Sequence, residues 1–421
     1  MSHAFTLEQR AEAARRAGHV LARAPGQLRT AALLQLASMV RGSVDELLVA
    51  NALDLRDGET KGMAPAFLDR LRLTPARIEQ MAVAIEEVAS QDDPVGRIES
   101  EVIRPNGLRV ARMRIPLGVV AVIYEARPNV TTDAAALALR SGNAVILRGG
   151  SDAQHSNSAL GRLIEQSLVA SGLPPASVTV IDDPSRDVML KMLQLADQID
   201  VVIPRGGEGL IRFVREHSRI PVISHYKGVC HVYLDAAADP ELGRRIVLNA
   251  KTSRVSVCNA AETLLVHEDI APALLPLVAD DLLAAGCTLH VCPESMALLG
   301  NRAGIVAATE EDWTTEHLSL DLGVRIVKDI DAAMDHIATY GSSHTEAIIT
   351  DSLRAAQRFT TEVQSSCVMV NASTRFADGG QLGLGAEIGI STSRLHAYGP
   401  MGAEGLTTLR FVVTGTGQIR T

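Results

Sequence analysis

The chain has 421 residues, of which 47% are hydrophobic, and this is enough for two or three domains with full apolar cores. Its 40 basic and 49 acidic residues give a net charge of −9, and no basic stripe is interleaved with aromatic residues, which argues against a nucleic-acid-binding protein. The longest apolar run, Leu117 to Tyr124, is far too short to span a membrane. We therefore predict an ordinary soluble enzyme or binding protein of the cytoplasm.

The cysteines support a reducing compartment. They are odd in number and scattered, at positions 230, 258, 287, 292 and 367, which argues against a disulfide framework. Cys287 and Cys292 have no second pair at metal-ligand spacing, so the sequence predicts no metal site.

The first hundred residues are predicted to be helical, because apolar positions such as Ile78, Met81 and Ile85 recur at helical spacing. Thr74 precedes a proline at a first helical position, and Ser43 with Glu46 has the spacing of a capping box. A β-hairpin around an Asn-Gly turn is predicted next, over residues 101–115.

From residue 116 onward, short β-rich runs alternate with helical segments, a pattern typical of a parallel sheet. Loops after two of these runs, Arg148 to Ser151 and Pro204 to Gly207, contain paired glycines. Such loops lie where parallel sheets bind ligands, so both are candidates for nucleotide contact, with simple turn chemistry as the alternative. The predicted strands are Val119 to Tyr124, Asn143 to Leu147, Ser177 to Ile181, Ile199 to Ile203 and Ile220 to Ser224.

The alternation resumes beyond residue 232 and predicts a second α/β domain. Residues 371–402 are rich in Gly, Ser and Thr, which favours an ordered, irregular loop over a site, and residues 406–413 are predicted to form a closing strand. The predicted strands of the second domain are Leu264 to Val266, Val324 to Val327, Ala347 to Ile349 and Val368 to Val370.

One cysteine lies in a polar, cationic loop. Cys258 follows Lys251 and Arg254, and nearby positive charge lowers a thiol pKa and so favours the nucleophilic thiolate. Without further information, an inert, buried Cys258 is the more common alternative.

Eight segments in chain order resemble the aldehyde dehydrogenase superfamily, and within it a branch that reduces an acyl phosphate. The resemblance covers nearly the whole chain and implies an α/β fold with a Rossmann-like cofactor domain, an α/β catalytic domain and a β-hairpin arm. The implied boundaries are 1–98 and 116–228 for the NADP-binding domain, 229–395 for the catalytic domain, and 99–115 with 396–421 for oligomerisation. The segments are residues 116–119, 125–130, 141–143, 147–151, 203–207, 249–263, 340–346 and 383–390.

The resemblance implies that Cys258 is the nucleophile. Attack on glutamyl 5-phosphate would leave a thioester that NADPH reduces to glutamate 5-semialdehyde, with Asn129 and the backbone N–H of Cys258 stabilising the oxyanion. Hydrolytic relatives carry a glutamate that activates water, whereas residues 224–228 here contain no carboxylate. His225 is the alternative base, and Tyr226 with Lys227 departs from the smaller residues expected in this loop.

The resemblance also assigns binding residues. It places the adenosine ribose near Arg148 and Ser151, and an arginine there favours NADPH through its 2′-phosphate. It assigns the pyrophosphate to Pro204, Arg205, Gly206 and Gly207, and the nicotinamide ribose to Glu316.

Candidate partners for the substrate follow from its charges. The anionic groups of glutamyl phosphate would form ion pairs with Arg127, Lys251 and Arg254, and its ammonium group would pair with Glu387. The alternative for Lys251 and Arg254 is to activate Cys258 or to pair structurally with acidic neighbours. Glu262 most resembles a scaffold residue.

The resemblance further implies a homodimer or homotetramer, with the hairpin and the terminal strand pairing across subunits, because isolated hairpins are only marginally stable. Glutamate 5-kinase is expected on another polypeptide, as a candidate for transient contact. Two rival interpretations are a hydrolytic NAD(P)-dependent aldehyde dehydrogenase and a catalytically inactive scaffold of the same fold.

Overall fold

The structure, a computed structural model, describes residues 6–224 and 227–420. These residues form two compact units. The first contains the described residues up to Ser224 together with Gly383–Gly389 and the chain from Leu395 onward, and the second contains the described residues up to Leu382 together with Ile390–Arg394.

The two units are built from alternating helices and strands. The helices are α1 Leu7–Leu21, α2 Gly26–Gly42, α3 Val44–Thr60, α4 Pro65–Leu71, α5 Pro75–Ser90, α6 Asn129–Arg140, α7 Gln154–Ala170, α8 Arg186–Met192, α9 Glu208–His217, α10 Pro240–Thr252, α11 Ala271–Ala284, α12 Pro293–Leu299, α13 Ile330–Tyr340 and α14 Leu353–Glu362. The strands are β1 Ile98–Ile103, β2 Arg109–Pro116, β3 Val119–Tyr124, β4 Ala144–Gly149, β5 Val178–Val180, β6 Val201–Arg205, β7 Cys230–Leu234, β8 Ala261–His267, β9 Thr288–Val291, β10 Ile305–Ala307, β11 Asp321–Val327, β12 Thr345–Ile349, β13 Cys367–Val370, β14 Ile390–Ser391, β15 Gly399–Pro400 and β16 Thr407–Thr414.

The predicted helix starts had different outcomes. Thr74 caps α5, because its side-chain oxygen accepts from the Arg77 N–H at 3.2 Å. The capping box at Ser43 is wrong: the Ser43 side chain makes no cap hydrogen bond, and Glu46 instead pairs with Arg162 at 2.8 Å.

The predicted hairpin is confirmed as the antiparallel pair β1 and β2, and the terminal strand β16 is confirmed on the other edge of β2. The turn differs in detail from the predicted one. The Gly107 N–H donates to the Arg104 carbonyl, so the turn centres on Pro105 and Asn106, and Gly107 takes a φ of 85° just after it.

The first unit contains a four-stranded parallel sheet in the order β5-β4-β3-β6. Every residue of β3 is buried, which explains its continuous apolar sequence. The strand order reverses between β3 and β6, and ligands bind at the carboxyl ends of strands at such a point. The predicted strand over Ile220 to Ser224 is wrong, because Val222 makes only an isolated bridge to Val202.

The second unit contains a seven-stranded parallel sheet in the order β10-β9-β11-β8-β7-β12-β13. Its four predicted strands are confirmed in β8, β11, β12 and β13. The sequence did not reveal β7, although all five of its residues are buried near the centre of this sheet.

Residues 371–402 are largely irregular, as predicted, but they divide between the units. Gly383–Gly389 lies with the first unit, whereas the predicted catalytic domain ran unbroken to residue 395. Backbone hydrogen bonds from Ile388 N to Met401 O and from Met401 N to Gly389 O account for this placement. Within the described chain, no helix combines the length and the apolar character needed to cross a bilayer.

Candidate active site

Cys258 lies between α10 and β8, at the amino end of β8, and is half-buried. Its backbone packs against Gly228 so closely that a Cβ atom at residue 228 would overlap the Cys258 main chain. The next residue, Asn259, is buried and donates from Nδ2 to the Ala377 carbonyl at 2.9 Å. The backbone at Cys258 is therefore held on one side by packing against Gly228 and on the other by the side-chain hydrogen bond of Asn259.

A histidine that was not predicted from the sequence interacts electrostatically with this thiol. His344, immediately before β12, is fully buried, and the charge of the Cys258 side chain acts to raise its pKa. Its Nδ1 lies 2.8 Å from Thr345 Oγ1 and 3.6 Å from the sulfur of Cys230, which donates to the Cys258 carbonyl at 3.1 Å. His344 falls inside the segment 340–346 that carried the family resemblance, which was the one available signal.

Negative charges surround the Cys258–His344 pair. Burial lowers the pKa of His344, but Cys258, Glu316 and Glu346 raise it, and the net shift is upward. Burial, followed by these acidic neighbours, raises the pKa of Cys230, so that thiol stays protonated. Glu316, the predicted nicotinamide-ribose partner, is thus close enough to act electrostatically on the same histidine as Cys258.

Glu346 is held by a buried network. One of its oxygens pairs with His231 Nδ1 at 2.8 Å and accepts from the His231 N–H at 2.8 Å, while the other accepts from Ser365 Oγ at 2.9 Å. Both side chains of the Glu346–His231 pair are inaccessible to solvent. This network links the amino ends of β7 and β12.

Lys251 forms a buried ion pair with Glu262, with an N···O distance of 2.7 Å and no exposure of the lysine side chain. Burial raises the pKa of Glu262 to about 7, although Lys251 and the N–H of Leu318 oppose the shift. The buried pairing favours the structural alternative for Lys251 over contact with a substrate anion, and it gives Glu262 the predicted scaffold role.

Two arginines provide positive charge near the thiol. Arg254 is exposed, and Arg375 is half-buried with its Nε donating to Ser253 Oγ at 3.1 Å. Burial and then the charge of Arg254 lower the pKa of Arg375, while Asp378, Cys258 and Cys230 raise it. Arg375 was not identified from the sequence, because nothing in its local pattern relates it to a cysteine more than a hundred residues away.

A polar cluster in the first unit joins Asn129, Asp133, Arg205 and Glu387. Asn129 begins α6 and donates from Nδ2 to Asp133 at 2.8 Å, while Arg205 at the end of β6 pairs with Glu387 at 3.2 Å. Burial raises the pKa of Asp133 to about 6, against the lowering effects of Asn129 and Arg205. Asn129, Arg205 and Glu387, which were predicted to contact the oxyanion, the pyrophosphate and the substrate ammonium respectively, therefore interact electrostatically with the same carboxylate, Asp133.

The predicted pyrophosphate loop already carries a carboxylate contact. The Gly207 N–H donates to Glu125 at 3.1 Å, and a Cβ atom at Gly206 would overlap the same carboxylate. Glu125 directly follows β3, so this contact lies where the strand order reverses. Gly207 has the backbone donor and the open surface that a phosphate requires, and a phosphate there would have to displace the Glu125 carboxylate from this donor.

A second predicted cofactor residue, Arg148, lies near the end of β4 and is buried. Its guanidinium donates to the carbonyls of Pro184 and Ser185, and burial lowers its pKa despite Asp183 and Glu125. A cleft beside it is lined by residues that include Gly149, Gly150, Gln154, Ser158 and Asp182. Ser151 is exposed, whereas Arg127, a predicted substrate partner, is half-buried.

The chain matches the model of the aldehyde dehydrogenase family over residues 2–286. The chain belongs to the aldehyde dehydrogenase family. The family resemblance and the α/β fold class predicted from the sequence are therefore confirmed.

Relatives within the aldehyde dehydrogenase family match over the full chain. A gamma-glutamyl phosphate reductase from Xanthomonas campestris pv. campestris is 51% identical, covering 99% of this chain and 100% of the relative. One from Geobacter metallireducens is 51% identical over 97% of each chain. The crystal structure of gamma-glutamyl phosphate reductase from Thermotoga maritima has a TM-score of 0.94 and 42% identity, covering 98% of this chain and 99% of that one.

In this aldehyde dehydrogenase family member, one His and Asp cluster has the composition of a metal site. Donor atoms of His290, Asp312 and His317 all lie within 4.8 Å of one another. Both ring nitrogens of His290 are already paired, with Asp312 at 2.9 Å and Asp321 at 3.1 Å. We interpret the cluster as a hydrogen-bonded network that holds the segment carrying Glu316.

Proposed function

We propose that the protein catalyses the NADPH-dependent reduction of L-glutamyl 5-phosphate to L-glutamate 5-semialdehyde and phosphate, a step of proline biosynthesis. The observation that carries the proposal is the half-buried Cys258, fixed against Gly228, in a chain that matches gamma-glutamyl phosphate reductases over its full length. An acyl phosphate is already activated, so the protein needs a nucleophile and an oxyanion site more than a strong general acid.

Cys258 attacks the acyl carbon and expels phosphate, leaving a thioester. Asn129 and the backbone N–H of Cys258 are the proposed donors to the oxyanion. When bound, NADPH supplies the hydride that converts the thioester to the aldehyde oxidation level. The carbon–sulfur bond then breaks, the aldehyde leaves and the thiolate is restored.

Cofactor binding is proposed at the carboxyl ends of β3, β4 and β6. Pro204, Arg205, Gly206 and Gly207 form the loop for the pyrophosphate, and the support is the Gly207 N–H that already donates to a carboxylate. Glu316 is the proposed partner of the nicotinamide ribose.

The preference for NADPH is proposed to depend on Arg148 and Ser151, beside the glycine-lined cleft at the end of β4. Arg148 is held by two backbone carbonyls, which leaves its positive charge without a directly bonded carboxylate in the described contacts. A 2′-phosphate would supply that opposite charge.

Charged residues near Cys258 and in the first unit are proposed to recognise glutamyl phosphate. Arg254 and Arg375 provide positive charge near Cys258, and Arg127 is a further candidate for the α-carboxylate or the phosphate. Glu387 remains our candidate for the ammonium group, and its binding there would compete with the Arg205 pair. Lys251 is left out of this set because it is buried against Glu262.

Hydrolysis of the thioester is proposed to be slow. Among the described residues of the segment 224–228, Ser224, Lys227 and Gly228 offer no carboxylate, and His225 and Tyr226 lie outside the described residues. Phosphate is then the acceptor when the reaction runs from aldehyde to acid level. The five cysteines form no disulfide, which supports the proposed cytoplasmic location.

Assembly into a homodimer or homotetramer is proposed through the three-stranded sheet of β1, β2 and β16. Its outer strands expose Val102, Ile103, Phe411 and Val413, apolar side chains that a second subunit would cover. Glutamate 5-kinase is a candidate transient partner, since it makes the unstable acyl phosphate.

The decisive experiment is the oxidation of glutamate 5-semialdehyde by NADP, followed at the nicotinamide absorbance, with and without phosphate. We expect turnover that requires phosphate and falls by at least about a thousand-fold in Cys258→Ala. The matched control is Cys292→Ser, because the Cys292 sulfur accepts from Ser295 N as a helix cap and serine retains that role. Phosphate-independent turnover would instead indicate the hydrolytic enzyme, and no turnover would indicate another substrate or an inactive scaffold.

A further inference from the structure

We propose that Asp133 is a positioning residue for the reaction: its carboxylate holds the Asn129 amide in the orientation that aims an N–H at the oxyanion. The inference deepens the proposed function and rests on it, because it assigns the group that orients the proposed oxyanion donor. In this role Asp133 acts through Asn129 and does not itself have to touch the substrate.

The first argument is the contact within helix α6. Asn129 is the first residue of this helix and Asp133 lies four residues later, so the two side chains lie on the same face. Asn129 Nδ2 donates to Asp133 Oδ2 at 2.8 Å. The Asn129 carbonyl accepts from Thr132 Oγ1 at 2.9 Å, so the main chain that carries the amide is also held.

The second argument is the chemistry of the acceptor. The oxygen and the NH2 group of a side-chain amide are similar in size, so hydrogen bonding decides which of them faces a neighbour. An ionised carboxylate only accepts, so Nδ2 and not Oδ1 of Asn129 must face Asp133. One N–H of this nitrogen then serves Asp133, and the second remains for the oxyanion. An inverted amide would present its oxygen to both anions.

The third argument is the exposure of the donor. Asn129 is exposed, whereas Asp133 is half-buried. Among the described contacts, the Asn129 side chain makes its hydrogen bond to Asp133, and without that bond an exposed asparagine would exchange between rotamers. An oxyanion donor is effective when it is oriented before the reaction begins, because no reorganisation is then needed as the charge develops.

The charge of Asp133 controls this arrangement. Burial raises the pKa of Asp133 to about 6, Asn129 and Arg205 oppose the shift, and Glu387 adds to it. Arg205 ends β6 and pairs with Glu387 at 3.2 Å. Above a pH of about 6 the carboxylate is ionised and accepts from Nδ2. Below this pH it is protonated, and its O–H can donate to Asn129 Oδ1, which permits the inverted amide.

The test is a double-mutant cycle between Asn129 and Asp133, measured as kcat for the phosphate-dependent oxidation of glutamate 5-semialdehyde at neutral pH. We expect Asp133→Asn to lower kcat about tenfold with little change in the KM for NADP, because asparagine accepts or donates and no longer selects one orientation. In an Asn129→Ala background the same change should have little further effect. Asp197→Asn, at an exposed carboxylate, is the control and should match the parent.

Stability separates positioning from a structural role. Asp133→Asn removes a carboxylate that is unfavourable to ionise in the folded protein, so the urea midpoint at neutral pH should stay the same or rise while kcat falls. A residue that only stabilises α6 would lose stability and activity together, and that result would overturn the proposal. An unchanged kcat in Asp133→Asn, or an equal loss in both backgrounds, would also overturn it.

The orientation of the amide can also be followed without turnover, through the NMR signals of the Asn129 NH2 group in protein labelled on asparagine. These signals are identified by their loss in Asn129→Ala. In the parent they should shift with a midpoint near pH 6, and in Asp133→Asn they should not. Signals that do not titrate in the parent would overturn the proposal. This measurement needs no substrate, so its failure is distinct from failure of the proposed function, which phosphate-dependent turnover of the parent tests alone.

Discussion

The two parallel sheets carry their candidate functional residues at opposite ends of their strands. In the four-stranded sheet, Glu125 and Arg205 lie at the carboxyl ends of β3 and β6, where the strand order reverses. In the seven-stranded sheet, Cys230 begins β7, and Cys258 and His344 lie just before β8 and β12. If these residues form the sites, as we propose, ligands bind at the carboxyl ends of the strands in the first sheet and at the amino ends in the second.

The physical basis differs between these two ends. Loops at the carboxyl ends of the first sheet offer main-chain donors such as the Gly207 N–H, which suit the phosphates of a bound nucleotide. At the amino ends of the second sheet, side chains meet each other, as in the pairs His344–Cys230 and His231–Glu346. One site is built mainly from backbone and the other mainly from paired side chains, so the two should respond differently to substitution.

Among the substitutions that compare the two units, the largest effect is expected for Gly228→Ala in the second unit. The new methyl group would overlap the Cys258 main chain, and a displaced nucleophile typically loses about a hundredfold or more in rate. We expect kcat for semialdehyde oxidation to fall by at least about this factor. Gly209→Ala on α9 is the control, because nothing lies within 4 Å of a Cβ atom there, and normal activity in Gly228→Ala would refute the close packing.

A loss of about a hundredfold in kcat is expected for Asn129→Ala in the first unit, because one oxyanion donor is removed. The free energy of unfolding should change little, since Asn129 is exposed and its described side-chain bond is to Asp133. Steady-state kinetics and urea unfolding measure the two quantities, with exposed Asn301→Ala as the control. A large loss of stability with little change in kcat would show that Asn129 acts structurally.

Much of the fold could be predicted because its signals are local. Buried strands such as β3 and β4 are continuous apolar runs, and the Thr74 cap lies within three residues of its partner. The prediction of a capping box at Ser43 was wrong because Glu46 forms an ion pair with Arg162, which is distant in sequence. The strand β7 escaped prediction because His231 and Tyr233 interrupt its apolar pattern, and only the buried partner Glu346 explains the histidine.

The candidate site was predictable in part for the same reason. Cys258 lies in a recognisable cationic loop, but Lys251 is paired with Glu262, and His344, the buried residue on which Cys258 acts electrostatically, lies just before β12. Arg375 reaches the thiol from the irregular segment after β13. Pairings between distant segments require the sheet order, which a single sequence does not contain.

A moderate effect on stability is expected for Asp133→Asn. Burial raises the pKa of Asp133 from 3.8 to about 6, so the folded chain holds this proton more tightly than the unfolded chain does. The corresponding stability is complete at low pH and is lost as the pH rises through about 6. Asp133→Asn should remove this loss, of about 1–3 kcal/mol, as measured by urea unfolding across the pH range.

The control for this measurement is Asp197→Asn, at an exposed carboxylate for which the pH dependence should match the parent. An identical pH dependence in the parent and Asp133→Asn would mean that Asp133 ionises normally in the folded protein. The Asn129 amide would then donate to an ordinary carboxylate. Ionising Asp133, beside the proposed oxyanion donor, would in that case cost the folded protein no stability.

The smallest effect is expected for Glu125→Gln, which tests the carboxyl-end site directly. Glutamine retains an oxygen that can accept from the Gly207 N–H, while the negative charge beside the proposed pyrophosphate position disappears. We expect the KM for NADP to fall a few-fold, because about 1 kcal/mol of repulsion between like charges is removed. Exposed Glu216→Gln on α9 should leave the KM unchanged. A rise in KM would mean that Glu125 helps to hold the cofactor. The proposed cofactor site would then depend on a side chain as well as on backbone donors, and in this respect it would resemble the site around Cys258.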